Sequence, residues 1–186
     1  MRLNVMNRSA KIILFVVLAA VLAVPSAVNS QDVATGSATA TVLTALAVSS
    51  IAALVFGNVY QGVAATIANS NAAAGIYAIT GQGNAGISIY MALPDYVALA
   101  DGSDRMTIAF SSTDASVDTL GAGDPTTMIG ANGWLNIDPH NFPAAAEVGV
   151  GGTTSIYLGG KVTPAVNQTA GAYTGDIVLT VAYNGT

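Results

Sequence analysis

Side chains that could carry out acid–base or nucleophilic chemistry are few in this sequence. It has one histidine, His140, one glutamate, Glu147, and no cysteine. His140 lies between Pro139 and Pro143, which indicates a rigid loop rather than a catalytic dyad. No Gly-x-Ser-x-Gly nucleophile motif is present, so a hydrolase triad is unsupported. The lack of cysteine excludes zinc–thiolate sites, iron–sulfur sites and cysteine nucleophiles.

Carboxylates are the remaining candidates for metal binding or acid catalysis. The aspartates in turn-like stretches that could supply oxygen ligands for calcium are Asp101, Asp104, Asp114, Asp118 and Asp124. None follows the spacing of a calcium-binding loop, and aspartate in turns usually accepts hydrogen bonds from its own backbone. Nothing marks an aspartate partner for Glu147, as a glycosidase would require. We therefore expect no catalytic, cofactor-binding or metal-binding residues, no cofactor and no enzymatic activity.

Aromatic side chains offer a weaker alternative, a platform on which sugars stack. The candidates are Tyr60, Tyr77, Tyr90, Tyr96 and Trp134. Outward tyrosines also cover neutral strand faces or make subunit contacts. Asn167-Gln168-Thr169 fits a glycosylation acceptor pattern.

The N-terminus has the pattern of a signal peptide. Arg2, Arg8 and Lys11 precede an uninterrupted apolar run over residues 12–24, which is too short to span a bilayer and is ended by Pro25. We predict a signal peptide over residues 1–30 with cleavage after Ser30, and an alternative in which the helix stays as an anchor is open. Export then places the mature chain, residues 31–186, at the cell surface or outside the cell, through the periplasm.

The composition of the mature chain is apolar and almost uncharged. Only 8% of the 186 residues are charged and 52% are hydrophobic. After removal of residues 1–30, Arg105 and Lys161 remain against ten acids, a net charge of −8. An acidic surface with almost no lysine argues against nucleic acid and anionic membrane as partners. Without disulfides, packing or assembly must supply the stability.

Alternation with a period of two predicts an all-β fold. The clearest case is the C-terminal stretch, in which Tyr173, Ile177, Leu179, Val181 and Tyr183 share one face with Gly175. We predict about eight short strands, over residues 37–48, 54–59, 75–80, 87–93, 106–111, 146–150, 154–158 and 171–183. Alanine makes a helix the competing prediction over residues 42–54, and threonine, valine and isoleucine favour the strand.

These strands predict one antiparallel β-sandwich of the immunoglobulin or pilin type over residues 31–186. Residues 113–142 lack periodicity and are rich in Gly, Asp, Asn and Pro, which is typical of a functional or variable loop rather than core. Trp134 is expected to close the sandwich edge there.

Two motifs give the sequence a resemblance to a known family. They are Phe56-Gly57-Asn58-Val59 after a first strand of the type ATATV, and the pattern GGxV…Q-x-x-G-x-Y-x-G-x-I-x-L-x-V-x-Y over residues 159–183. They resemble the bacterial domain-of-unknown-function family numbered 4402, which is similar to the spore coat protein U and chaperone–usher pilin group. The resemblance covers most of the mature chain, except that residues 113–142 look longer and less regular.

The resemblance implies an exported, non-enzymatic structural protein, a subunit of a pilus-like surface fibre or coat. Its partners would be itself or related subunits through strand exchange, with a periplasmic chaperone and usher. Only a short polar leader precedes residue 37, so the chain could instead complete its own sheet, or residues 37–48 could detach as a donor strand. The alternative function is a monomeric adhesin-type module that binds glycan or protein through the 113–142 loops.

Overall fold

A computed structural model describes residues 33–185 of the chain. The predicted signal peptide, residues 1–30, lies outside the described residues. The chain divides into a unit of residues 1–40 and a unit of residues 41–186. In the first unit, residues 33–40 are exposed and form no helix or strand. Within residues 33–185, no helix has the length and apolarity that crossing a bilayer requires.

The second unit is all-β and its described strand pairs are antiparallel. The strands are β1 Ala47–Ala52, β2 Ala65–Ile67, β3 Gly75–Thr80, β4 Ile87–Ala92, β5 Tyr96–Leu99, β6 Arg105–Ala109, β7 Ala115–Asp118, β8 Gly133–Ile137, β9 Thr153–Leu158, β10 Gly160–Thr163, β11 Tyr173–Thr174 and β12 Val178–Tyr183. A first sheet has the order β1-β3-β9-β7-β8, and a second has the order β11-β5-β6-β10-β2. β12 and β4 form a two-stranded sheet. A single turn of 3-10 helix, Gly130–Asn132, precedes β8.

The main core lies between the first sheet and the β12–β4 pair, a sandwich-like arrangement. Ile79, Val117 and Ile156 from the first sheet are fully buried in one cluster with Ile87 and Met91 of β4. Their alternation along each strand places them on the same side, and the hydrophobic effect favours closing the two layers over them.

A second, smaller cluster forms on the second sheet. Met106 and Ile108 of β6 are buried against Val162 of β10. Because β10 follows β9 after Gly159, one length of chain passes from the first sheet to the second. A Cβ atom at Gly159 would collide with the backbone oxygen of Ile67, so only glycine allows the chain to change sheets at this point.

Several sequence predictions are confirmed. The strands expected over residues 75–80, 87–93, 106–111 and 154–158 correspond to β3, β4, β6 and β9. Ile177, Leu179, Val181 and Tyr183 are half-buried and pack on the main core, as the alternation predicts. Trp134 lies on β8 at the edge of the first sheet and packs against the main core, also as expected.

The predictions for the N-terminal part are largely wrong. Residues 37–46 form no strand, and the first strand starts at Ala47. Residues 54–59 also form no strand, although Leu54, Phe56 and Val59 are half-buried. Residues 37–46 and 54–59 have the alternation of a strand, but no strand of the described chain pairs with them in a hydrogen-bonded ladder. The helix alternative over residues 42–54 is wrong as well, because residues 47–52 are strand β1.

Two further predictions fail in the C-terminal half. The expected last strand over residues 171–183 is two strands, β11 in the second sheet and β12 in the two-stranded sheet, separated at Gly175. Residues 113–142 are not a loop throughout, because they contain β7 and β8. All four residues of β7 are buried, two of them in the main core. Residues 146–150 form no strand. They lie beside the start of β4 through an isolated bridge between Gly86 and Glu147, where the Ile87 N–H donates to the Ala146 carbonyl at 2.8 Å.

Candidate functional site

An apolar groove of about 780 Å³ opens beside the second cluster. Its floor consists of Val97, Met106, Ile108 and Val162, from β5, β6 and β10. One wall is the irregular segment 53–59 and the other is the segment 171–177, which contains β11. We call these the N-terminal wall and the β11 wall. Val162 lines the groove but is only 1% exposed, so neighbouring side chains cover it almost completely.

The floor is built by strand alternation. Met106 and Ile108 are buried, whereas Arg105, Thr107 and Ala109 between them are exposed. Val162 lies directly opposite Ile108 in the β10–β6 register. Side chains directly opposite on antiparallel strands are near neighbours, so these two form a continuous apolar surface.

The two walls are not joined by backbone hydrogen bonds within the described residues. In the N-terminal wall, the Val55 N–H donates to the Ala73 carbonyl at 3.0 Å, away from the groove. In the β11 wall, Tyr173 and Thr174 pair with β5, and β11 ends the second sheet. The second edge of β11 therefore carries backbone donors and acceptors without a strand partner, and this edge borders the groove.

The same open edge continues along β12. Its six residues pair with β4 in an unbroken register, and β4 is the only strand with which β12 pairs in the described chain. Ile177, which lines the groove, comes directly before β12. β1 approaches β12 without pairing with it, so unpaired backbone and an apolar groove meet at the start of β12, where Ile177 lies.

Glycines hold the β11 wall close to β5. A Cβ atom at Gly171 would lie 2.6 Å from Leu99 Cδ2, and one at Gly175 would lie 3.0 Å from Val97 Cγ1. Both distances are too short for a side chain without movement of the neighbour, so the close approach of the wall depends on these two glycines.

A polar network, the Asp104 latch, fixes the outer side of the β11 wall. It consists of Asp104, Gln168, Thr169 and Tyr173. Asp104 Oδ2 accepts hydrogen bonds from the Thr169 N–H at 2.7 Å, Gln168 Nε2 at 2.8 Å and the Tyr173 hydroxyl at 2.9 Å. Hydrogen bonds from Thr169 and then Tyr173 hold the pKa of the Asp104 carboxyl well below its usual range. The Tyr173 ring packs on the second cluster and lines the groove.

The segment of residues 33–46, which we call the N-terminal extension, lies outside the strands of the fold. Val42 is 94% exposed, and Val33 is 75% exposed. The extension is attached at its end, where the Thr44 carbonyl accepts a hydrogen bond from the Tyr183 hydroxyl at 2.7 Å and Leu46 packs on the main core. An alternating, exposed, apolar segment has the character of a strand without a sheet.

The candidate residues for catalysis do not come together. His140 Nδ1 lies 3.0 Å from Asp138 Oδ1 at an exposed turn, where the His140 N–H also bonds to Asp138. Hydrogen bonds from His140 hold the pKa of the Asp138 carboxyl below its usual range. Glu147 is exposed and joins β4 through a single bridge.

The aspartates considered as calcium ligands also do not come together in one site. Asp101, Asp114 and Asp124 each accept hydrogen bonds from their own turns, and Asp104 belongs to the latch. Asp118 is buried, where Oδ1 accepts from the Leu120 N–H and Oδ2 from the Tyr157 hydroxyl at 3.1 Å. Burial and then the Asp118 charge raise the pKa of Tyr157 to about 12. Residues 33–185 hold no group of three or more His, Cys, Asp or Glu placed for a metal ion.

The aromatic residues do not form one platform either. Tyr77 is buried and Trp134 is half-buried, and both belong to the main core. Tyr60, Tyr90 and Tyr96 are exposed, and the Arg105 guanidinium lies over the Tyr96 ring at 4.4 Å. Asn167 is exposed in the turn between β10 and β11.

Reasoning from the sequence missed the groove and the latch. The signal available was the pair Gly171 and Gly175 around Tyr173, glycines that interrupt an otherwise regular alternation. Comparisons with protein-family models, with curated proteins and with solved structures each gave no match.

Proposed function

We propose that this chain is an exported, non-enzymatic structural subunit that assembles with copies of itself or related subunits into a surface fibre or coat. The observation that carries the proposal is the coexistence of an apolar groove beside an open strand edge with an exposed, strand-like N-terminal extension. In this proposal the extension of one copy enters the groove of the next, adding a strand beside β11 and β12. The fold is then an incomplete immunoglobulin- or pilin-like sandwich.

The chemistry of the two surfaces supports this pairing. The groove floor is aliphatic, and the extension offers small aliphatic side chains at alternate positions, Ala38, Ala40 and Val42. Neither the extension from Val33 to Leu46 nor the groove lining contains a charged side chain, so insertion desolvates no ion. Burying Val42 alone is worth about 1.5–3 kcal/mol, and main-chain hydrogen bonds add affinity in strand addition.

The position of the extension favours a neighbouring copy over the chain's own groove. Ala47 pairs with Thr80, and Ala52 pairs with Ile76, so β1 runs from the extension towards the groove. The extension therefore leaves β1 at the end remote from residues 53–59. To fill its own groove it would have to reverse at Leu46 and return along the length of β1, roughly 20 Å at about 3.3 Å per residue. A second copy needs no such reversal.

Assembly is tested by comparing the mature chain, residues 31–186, with a form that begins at residue 44. We expect concentration-dependent oligomers in size-exclusion chromatography with light scattering, and filaments in negative-stain microscopy, only when residues 33–43 are present. Val42→Asp should abolish assembly, while the matched control Thr41→Asp, on the opposite side of the extension, should retain most of it. Strictly monomeric mature protein at millimolar concentration, without filaments on expressing cells, would overturn the proposal.

One observation favours the alternative, a binding module that uses the 113–142 region. Within this region, residues 119–132 connect β7 to β8, and Leu120 and Ile129 are each 58% exposed on it. A surface with exposed leucine and isoleucine suits a protein partner better than a glycan. A pull-down that compares the unaltered protein with the double variant Leu120→Ser/Ile129→Ser distinguishes the two functions. A purely structural subunit should still assemble in that variant and should lose no bound protein, whereas a binding module should lose its partner.

A further inference from the structure

The Asp104 latch connects the groove to a turn on the outside of the second sheet. Tyr173 belongs to both, because its ring lines the groove and its hydroxyl reaches Asp104 Oδ2. The hydroxyl also lies 2.8 Å from the Thr169 carbonyl and 2.9 Å from Gln168 Nε2. Gln168 is buried, and its Oε1 accepts from the Ala165 N–H at 3.0 Å. The latch thus connects the turn before β6 with the chain between β10 and β11.

Few backbone hydrogen-bonded pairs hold the β11 wall in place. β11 is two residues long and pairs with β5 at two positions, Tyr173 with Leu99 and Thr174 with Ala98. Gly171 and Gly175 lie on either side, and glycine restricts the backbone less than any other residue. A wall with two pairs and flexible flanks would open and close on its own without an additional restraint. Asp104 supplies that restraint from outside the groove.

We propose that Asp104 is a positioning residue for strand insertion, acting through the Tyr173 hydroxyl to hold the β11 wall at the spacing that an incoming strand requires. This inference rests on the proposed function. A preorganised wall avoids the ordering cost at the moment of binding, and this raises affinity. The groove is kept open and in register before its occupant arrives.

The first test measures the affinity of the groove for a labelled synthetic peptide of residues 33–46, by fluorescence anisotropy, in protein that begins at residue 44. Asp104→Asn and Tyr173→Phe should each weaken binding about tenfold, in the range expected for loss of a hydrogen bond to a charged group. Because the two variants share the contact between Asp104 and the Tyr173 hydroxyl, the double variant should lose less than the hundredfold that independent effects would give.

Two controls separate positioning from general stability. Asp101→Asn lies in the same turn and removes the charge that accepts hydrogen bonds from Ser103, outside the latch, so it should bind the peptide like the unaltered protein. Ile87→Val lowers stability through a main-core side chain that does not line the groove, and should also leave the peptide affinity unchanged. A loss of affinity with Ile87→Val equal to that with Asp104→Asn would show that stability alone matters and would overturn the inference.

The second test needs no peptide. Amide hydrogen exchange should be faster in residues 171–175 of Asp104→Asn than in the unaltered protein, with exchange in β12 and β4 unchanged. Equal exchange in residues 171–175 would overturn the inference whether or not the peptide binds. If exchange rises as expected but the unaltered protein neither binds the peptide nor assembles, the proposed function fails while the latch itself is real. If the peptide binds the unaltered protein and Asp104→Asn equally well, the function stands and the positioning role fails.

Discussion

Replacing Leu179 by aspartate tests which face of β12 is buried. Leu179 is half-buried, pairs with Met91 across the β12–β4 ladder and packs on the main core. Its neighbour Thr180 is exposed and pairs with Tyr90, which is 65% exposed. Thr180→Asp is therefore a matched control that adds the same carboxylate one position along the strand, on the opposite face.

The expected cost of Leu179→Asp follows from this half-burial. Losing half of a leucine's burial costs about 1–1.5 kcal/mol, since full burial is worth about 1.5–3 kcal/mol. A partly desolvated carboxylate adds about 1–3 kcal/mol, and the strands of this core carry no lysine or arginine to pair with it. The total is about 3 kcal/mol, which leaves a typical domain folded but weakened. Thr180→Asp should lower the free energy of unfolding by no more than about 0.5–1 kcal/mol.

Urea unfolding followed by tryptophan fluorescence measures both variants through Trp134. At a slope of about 1–3 kcal/mol per molar urea, Leu179→Asp should lower the midpoint by about 1–3 M. The measurement is made at two protein concentrations, because self-association would raise the apparent stability. Equal midpoints for the two variants, or a larger loss with Thr180→Asp, would show that the odd-numbered side chains of β12 do not face the core.

Three further predictions follow from particular contacts. Because the pKa of Tyr157 is raised to about 12, its contribution to stability should be fully present below pH 10 and be lost between pH 10 and 12. Tyr157→Phe should therefore reduce the difference between urea midpoints measured at pH 9 and 11.5. Because the pKa of Asp104 is lowered, its contribution should be present above pH 4 and lost progressively as the pH falls below 3.8, so Asp104→Asn should flatten the acid side of the stability profile. Tyr183→Phe removes the hydrogen bond that the hydroxyl donates to the Thr44 carbonyl and the one that it accepts from the Gln82 N–H. A protease that cuts at apolar residues should then cleave residues 33–46 faster than in the unaltered protein. Unchanged cleavage would show that Tyr183 does not hold the extension.

The fold was most predictable where a strand has one buried face. Ile87 and Met91 are buried at alternate positions of β4, and Met106 and Ile108 at alternate positions of β6, so a period of two identified both strands. The same period is present in residues 37–46 without a strand. Alternation reports which side chains would share a face, whereas a strand also requires a neighbour with free hydrogen-bonding groups.

The groove was not predictable because it depends on contacts between distant parts of the chain. Tyr173 and Leu179 are in phase across Gly175, so a sequence pattern cannot show that the strand divides between two sheets there. Asp104 and Tyr173 are 69 positions apart, and no local pattern connects them. The one local indication is the pair of glycines around Tyr173. Their role is visible only in the structure, where Leu99 and Val97 lie beside them.

The edges of the sheets differ in a way that bears on assembly. At β8, the register with β7 shifts, and Asn136 takes a left-handed conformation with φ of 52°. Such a bulge bends an edge strand and discourages pairing with other chains. At β12, six residues keep an unbroken register with β4 and no bulge interrupts the open edge. An open, regular and uncharged edge would promote unspecific aggregation unless a definite partner covers it. In a chain without disulfides, a neighbour's extension in the groove would protect this edge and add to the stability of the fold.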